Sequence, residues 1–156
     1  MKQYFFTIIT LLIFTWGDAQ EGNRWPQEEK QLRQAFDVFL KEFKNLDAPK
    51  LMETISANEN ASLLIQGQLY SGKNVRGYFT GAVNYVQSFD SLDVRHIKVD
   101  MMSPATGTLT CTYTEWYTPK GQKQMIADGI ATYVFVLEED RKWRIRHCAG
   151  FVTIRP

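Results

Sequence analysis

The chain has 156 residues, the size of one domain. Lys and Arg total 18 against 17 Asp and Glu, a net charge of +1, which argues against nucleic acid as a partner because that role leaves a strong basic excess. A hydrophobic content of 44% and a charged content of 22% exclude global disorder, a collagen-like repeat and a disulfide scaffold.

The first element is a targeting segment. Lys2 precedes an apolar run over 4–16, shorter than the ~20 residues a bilayer-spanning helix needs. Gly17 and Ala19 put small residues at the −3 and −1 positions of a cut after Ala19. The pattern reads as a secretory signal peptide over 1–19. It leaves 20–156 as a single mature domain, secreted or periplasmic, with no stable membrane anchor after cleavage. No Cys lies near the cut, which excludes bacterial lipidation there.

Beyond a polar lead-in, Pro26 suits a first helical turn, where its missing N–H costs nothing. Leu32, Phe36, Phe39, Leu40 and Phe43 form one apolar helical face, predicting a helix over 28–45. Asp47-Ala48-Pro49 starts a short second helix, with Asp47 as N-cap and Leu51, Met52 and Ile55 inward. Residues 62–70 read as strand, with Gly67 a bend or hairpin point. Val75, Tyr78, Phe79, Ala82, Val83 and Val86 mark a third amphipathic helix over 73–87. Gly77 and Gly81 weaken that helix by ~1 kcal/mol each relative to Ala, unless their small size permits close approach to a sheet. Strands follow at 92–102, 108–117, 124–137 and 142–154, divided by turns. Helices collected before one antiparallel sheet signal an α+β fold.

Strand alternation sorts the faces. Over 108–117 the column Thr108, Thr110, Thr112, Thr114 and Trp116 is a solvent or contact surface, so Leu109, Cys111, Tyr113, Glu115 and Tyr117 face inward. In the preceding strand Arg95, Ile97, Val99 and Met101 are the inner set. In the last strand it is Trp143, Ile145, His147, Ala149 and Phe151. Both faces of 124–137 are apolar. The small-residue face (Ala127, Gly129, Ala131, with Tyr133 and Phe135) is taken as inner, and the face of Ile126, Ile130, Val134 and Val136 is left for a second protomer. Cys111 then points inward and Cys148 outward on strands separated by a third. The pair is too far apart for a disulfide, which needs Cα atoms ~4.4–6.8 Å apart.

The order of elements resembles the nuclear transport factor 2-like superfamily, including its SnoaL-like members, over about 28–154. The residues that carry the resemblance are Gly72-Lys73-Asn74-Val75-Arg76-Gly77-Tyr78-Phe79, similar to that superfamily's entry into the third helix, and Lys142-Trp143-Arg144-Ile145-Arg146-His147, similar to its terminal strand. The last strand also resembles that of the calcium/calmodulin-dependent kinase association domain. There a second His commonly follows two residues on, where this chain has Ala149. The resemblance implies a cystatin-like α+β cone, in which three N-terminal helices pack on a strongly curved antiparallel sheet enclosing a pocket. It implies no single reaction, because members include isomerases, cyclases, dehydratases and binding or assembly modules.

A pocket built this way is lined by Phe36, Tyr78, Phe79, Arg95, Ile97, Ala131, Tyr133, Trp143 and Ile145. His147, Glu115 and Tyr113 are the candidates for catalysis. His147 could act as general acid or base near neutral pH, or pack beside Trp143 with one backbone hydrogen bond. Glu115 is structural if Arg95 pairs with it and a proton shuttle if nothing does. Tyr113 and Tyr133 could donate to a ligand oxygen or fill core. Asp128 faces outward on this parity; on the reversed parity it joins the pocket and becomes the best acid. The ketosteroid-isomerase branch places an oxyanion-binding Tyr on its first long helix, where this chain has Phe36, Phe39 and Phe43. Two His in all, with His96 unpartnered and no C-x-x-C, argue against a metal site. With no nucleotide fingerprint or nucleophile elbow, no cofactor is expected. Asn60-Ala61-Ser62 fits a glycosylation sequon.

Two functions from different classes follow. The favoured one is binding of a small, largely apolar ligand by an exported homodimer. The alternative is a cofactor-free isomerase, cyclase or dehydratase. Assembly through the threonine-lined or valine-rich face is a third.

Overall fold

The structure is a computed structural model and describes residues 24–155. The segment read as a signal peptide lies outside the described residues. Helix α1 (Pro26–Lys44) opens on Pro26 and carries Glu28 and Glu29 in its first turn and Lys41 and Lys44 in its last, matching the helix dipole at both ends. Its stripe of Leu32, Phe36 and Phe39 is buried. Helix α2 (Ala48–Glu53) is capped by the Asp47 carboxylate, which accepts from the Lys50 backbone N–H at 3.1 Å. Strands β1 (Ser62–Ile65) and β2 (Gln68–Ser71) form a hairpin whose two loop residues, Gln66 and Gly67, both have positive φ. That geometry matches the right-handed twist of the strands it joins. Helix α3 (Lys73–Tyr85) follows Gly72 and runs directly into the sheet.

Four long strands complete the chain: β3 (Val86–Ser103), β4 (Thr106–Pro119), β5 (Met125–Leu137) and β6 (Trp143–Arg155). The sheet order is β2-β1-β6-β5-β4-β3. It is an α+β architecture, helices first, with a curved sheet that does not close. Three points differ from the sequence reading. Strand β3 starts six residues before 92, because Val86 already pairs with Pro119. The sheet is mixed rather than antiparallel, since β1 lies parallel to β6. The alternation of faces is also interrupted in two strands.

The first interruption is in β3, where the register shifts between Arg95 and Lys98 and His96 has a positive φ of 54°. An irregularity of this kind inverts the pattern of faces. Leu92 and Val94 point into the cavity before it, and Val99 and Met101 pack on the core after it. Arg95, expected in the pocket, is instead turned to the other side, where it meets Thr114, and Ile97, expected there too, is exposed within the irregular stretch. The second is in β6: Val134 faces His147 and Phe135 faces Ile145, so Arg146 is the extra residue. Its guanidinium is held by Ser56 Oγ at 3.0 Å and Glu138 at 3.2 Å. Trp143 and Ile145 are buried as expected, but beyond Arg146 the pattern flips. Cys148 is buried and His147, Ala149 and Phe151 face outward, reversing the reading of that strand.

The core sits between α1 and the concave face of the sheet. Phe36 lies 5.4 Å from Tyr133 and Phe39 5.9 Å from Phe79, ring centroid to centroid. The inner faces expected for β4 and β5 are the observed ones. Leu109, Cys111 and Tyr117 on β4, and Ala127, Ala131, Tyr133 and Phe135 on β5, are all buried.

Candidate functional site

A cavity of about 520 Å³ opens between the helices and the concave face of the sheet. That volume is within the range of small-molecule sites. Helix α1 lines it with Phe36, Phe39, Leu40 and Phe43, α3 with Tyr78, Phe79 and Tyr85, and β3 with Phe89, Leu92 and Val94. Strand β4 adds Cys111, Tyr113, Glu115 and Tyr117, β5 adds Ala127, Ala131 and Tyr133, and β6 adds Cys148, Val152 and Ile154. Gly77 and Gly81 also border it. They are exposed, and a Cβ added at either would meet no atom within 4 Å. They do not bring α3 close to the sheet; they leave the rim open.

Among the described residues Glu115 is the one carboxylate in this lining. Its cross-strand neighbours are Leu92 and Ala127. Burial alone raises it from 4.5 to about 7, because no nearby charge offsets the loss of water. The pairing with Arg95 considered above does not form. Arg95 donates to Thr114 Oγ1 at 2.7 Å and pairs with Asp93 at 3.2 Å, both away from the cavity. Thr114 in turn donates to Asp128 at 2.8 Å, and Arg155 donates to the same carboxylate at 3.0 Å. These contacts hold Asp128 below its ordinary value on the outward face.

The other polar groups of the cavity are hydroxyls and thiols. Burial, with the Glu115 charge adding to it, raises Tyr78, Tyr113, Tyr117 and Tyr133 above their ordinary values, so these side chains remain O–H donors. Burial lifts Cys111 to about 11 and Cys148 to about 12. Both cysteines are free, with β5 running between their strands. Among the described residues no Lys, Arg or His lines the cavity, and no group of His, Cys, Asp and Glu has a metal-binding arrangement.

Of the residues singled out by sequence, the structure brings Phe36, Tyr78, Phe79, Tyr113, Glu115, Ala131 and Tyr133 around one space. It leaves out Arg95, Ile97, Trp143, Ile145 and His147. Trp143 and Ile145 are core; the Trp143 indole N–H donates to Gln31 at 3.3 Å. His147 faces away, with Nδ1 2.8 Å from Ser62 Oγ across the β1–β6 pair. Sequence reasoning passed over Phe39 and Phe43, although they share the Phe36 stripe, and Tyr117, although it shares the Glu115 face. Cys148, Val152 and Ile154 carried no usable signal, because the extra residue at Arg146 hides their orientation.

The described residues form an open α+β cone with one carboxylate set in an apolar, aromatic cavity. The fold is that of the nuclear transport factor 2-like superfamily. A nuclear transport factor 2-like superfamily protein from Salmonella enterica serovar Typhimurium superposes with a TM-score of 0.70 at 8% identity, over 79% of this chain and 89% of that one. A ketosteroid isomerase-like protein from Erwinia carotovora atroseptica gives 0.68 at 15% identity, over 84% and 99%. A type 2 hexachlorocyclohexane dehydrochlorinase gives 0.63 at 11% identity, over 83% and 92%. No family profile and no curated protein matches the sequence. At these identities the likeness is one of fold, and the cavity's own residues carry any argument about chemistry.

Proposed function

We propose that the protein takes up a small, largely apolar molecule into the cavity, with Glu115 as the polar point that orients it. The observation that carries this is a carboxylate that has no counter-charge among the described residues, set in a wall of aromatic and aliphatic side chains. A space of about 520 Å³ lined this way favours apolar burial, while a few placed polar groups provide orientation. The neutral fluorophore N-phenyl-1-naphthylamine tests it. One molecule should bind per chain, and Gly81→Phe, which projects a ring where no atom now stands, should weaken binding at least tenfold. No uptake by folded protein overturns the reading.

A second reading, cofactor-free proton transfer, is favoured by one specific feature. A carboxyl group at about 7 is half ionised near neutral pH, which suits both removal and return of a proton. Glu115 would take a proton from a carbon acid, and a neighbouring tyrosine O–H would stabilise the developing oxyanion. Glu115→Gln should then slow deuterium uptake from solvent into a bound ketone by about 10²–10⁴-fold. An equal rate removes the catalytic reading and leaves the binding one.

Export and dimerisation belong to the same proposal. The apolar run over 4–16 and the small residues before position 20 support cleavage after Ala19, which the mass of the exported protein tests. Exposed Ile130 (49%) and Phe151 (60%) on the convex face support a second copy there. Val134→Lys should move the elution volume to that of a monomer; a wild-type protein that already elutes as a monomer ends the dimer idea.

A further inference from the structure

We infer that the cavity is built for an organic cation: an ammonium group on an apolar body, with the Glu115 carboxylate as counter-charge and aromatic ring faces around it. This rests on the reading of the cavity as a ligand site and names the class of ligand. Three observations carry it.

The first is charge. Among the described residues the lining holds one acid and no base. The partner that the sequence suggested, Arg95, lies on the other face of the sheet, next to the irregularity at 95–98, and is engaged by Asp93 and Thr114. A carboxylate out of water with no counter-charge is costly to leave ionised, and a bound cation removes that cost. An anionic ligand would add a like charge in a low-dielectric space and would find no guanidinium fork or ammonium there.

The second is the wall. Five phenylalanines and five tyrosines line the cavity. Aromatic faces carry negative quadrupole density, so they attract cations as well as apolar surface, and rings grouped around one space are how quaternary ammonium groups are held. Aliphatic side chains would serve a neutral apolar ligand equally well, without this bias.

The third is what surrounds Glu115. The titratable groups facing the cavity are Tyr78 and Tyr85 from α3, Cys111, Tyr113 and Tyr117 from β4, Tyr133 from β5 and Cys148 from β6. Strand β3 presents Leu92 and Val94, and α1 presents Phe36, Phe39, Leu40 and Phe43. All the titratable neighbours are O–H or S–H groups, so Glu115 supplies the response near neutrality. A cation holds Glu115 ionised, so binding releases a proton when the carboxyl starts protonated. Affinity for the cation therefore rises with pH through about 7 and levels off above it.

The experiment is calorimetric titration of the full chain with two probes of nearly equal shape, at pH 8 and pH 6. Benzyltrimethylammonium carries a charge that does not titrate; 2-methyl-1-phenylpropan-2-ol is neutral. At pH 8 the cation should bind at least tenfold more tightly than the alcohol. Its affinity should fall about tenfold from pH 8 to pH 6, following the ionised fraction of Glu115. Glu115→Gln should abolish the cation's pH dependence and lower its affinity relative to the alcohol at pH 8 about tenfold, leaving only the preference that the rings supply. An alcohol that binds as well as the cation at pH 8 overturns the cation proposal and leaves the cavity reading standing. Failure of both probes to bind, with circular dichroism showing folded protein, overturns both. A cation preference that keeps both its size and its pH dependence in Glu115→Gln overturns the assignment of Glu115 as counter-charge.

Discussion

Tyr113 and Gly129 are cross-strand partners on β4 and β5, and the Tyr113 ring lies over Gly129 in the space where a Cβ would stand. The contact bends a large side chain flat against the cavity wall and leaves its hydroxyl neutral inside an apolar surround. Gly129→Ala should therefore displace the ring and cost about 1–3 kcal/mol by overpacking, read as a lower urea midpoint. In a Tyr113→Ala background the same change should cost little. A full penalty in that background would mean that the backbone at 129, and not the ring, requires glycine.

The Glu115 carboxyl has opposite consequences for stability and for binding. Its folded value, about 7, lies above the ordinary 4.5, so the folded state holds a proton more tightly than the unfolded chain does. Its contribution is thus most favourable below 4.5 and is lost as pH rises toward 7, by about 3 kcal/mol in all. Glu115→Gln, with no charge to desolvate, should gain on the wild type progressively between pH 5 and pH 8. Urea denaturation at the two pH values checks it, and a difference that does not change with pH would contradict the burial argument.

Both thiols should be slow to react. Burial lifts Cys111 to about 11 and Cys148 to about 12, so little thiolate exists at pH 8, and both side chains lie within the structure. Iodoacetamide should modify neither within an hour in native buffer and both within minutes in denaturant, seen as two added carbamidomethyl masses. A mass two units lower before reduction would reveal a disulfide instead.

His147 should not affect cavity binding. Its ring is taken up by Ser62 Oγ on the convex side, and Cys148 occupies the inward position. His147→Ala should lower stability by about 1 kcal/mol, the usual net worth of one hydrogen bond, and leave the affinity for N-phenyl-1-naphthylamine unchanged. A tenfold loss of affinity would show that β6 is oriented otherwise.

How legible the site was depended on regularity. Phe36, Phe39 and Phe43 recur at helical spacing, and α1 buries the first two and half-buries the third at the cavity. Tyr113, Glu115 and Tyr117 alternate along β4, which pairs with β5 without a register shift. Strand β3 has four register shifts against β4, the one at 95–98 among them, and β6 has one against β5; there alternation misplaced Arg95, Ile97, His147 and Cys148. The shift at 95–98 is a mismatch in register against β4, and the extra residue Arg146 is held by Ser56, 90 positions earlier; no local pattern encodes either.

The sequence by itself determined the three helices, the four-strand meander, the inner faces of the two central strands and the presence of a carboxylate among apolar neighbours. These follow from hydrophobic periods of 3.6 and 2, which are local properties of the chain. Only the tertiary structure decided that β1 runs parallel to β6 and that Arg95 turns away from Glu115. The same holds for the solvent-facing rim at Gly77 and Gly81. Each of these depends on contacts between distant segments, and in β3 the irregularity between Arg95 and Lys98 leaves the charge that would have neutralised the cavity on the opposite face of the sheet.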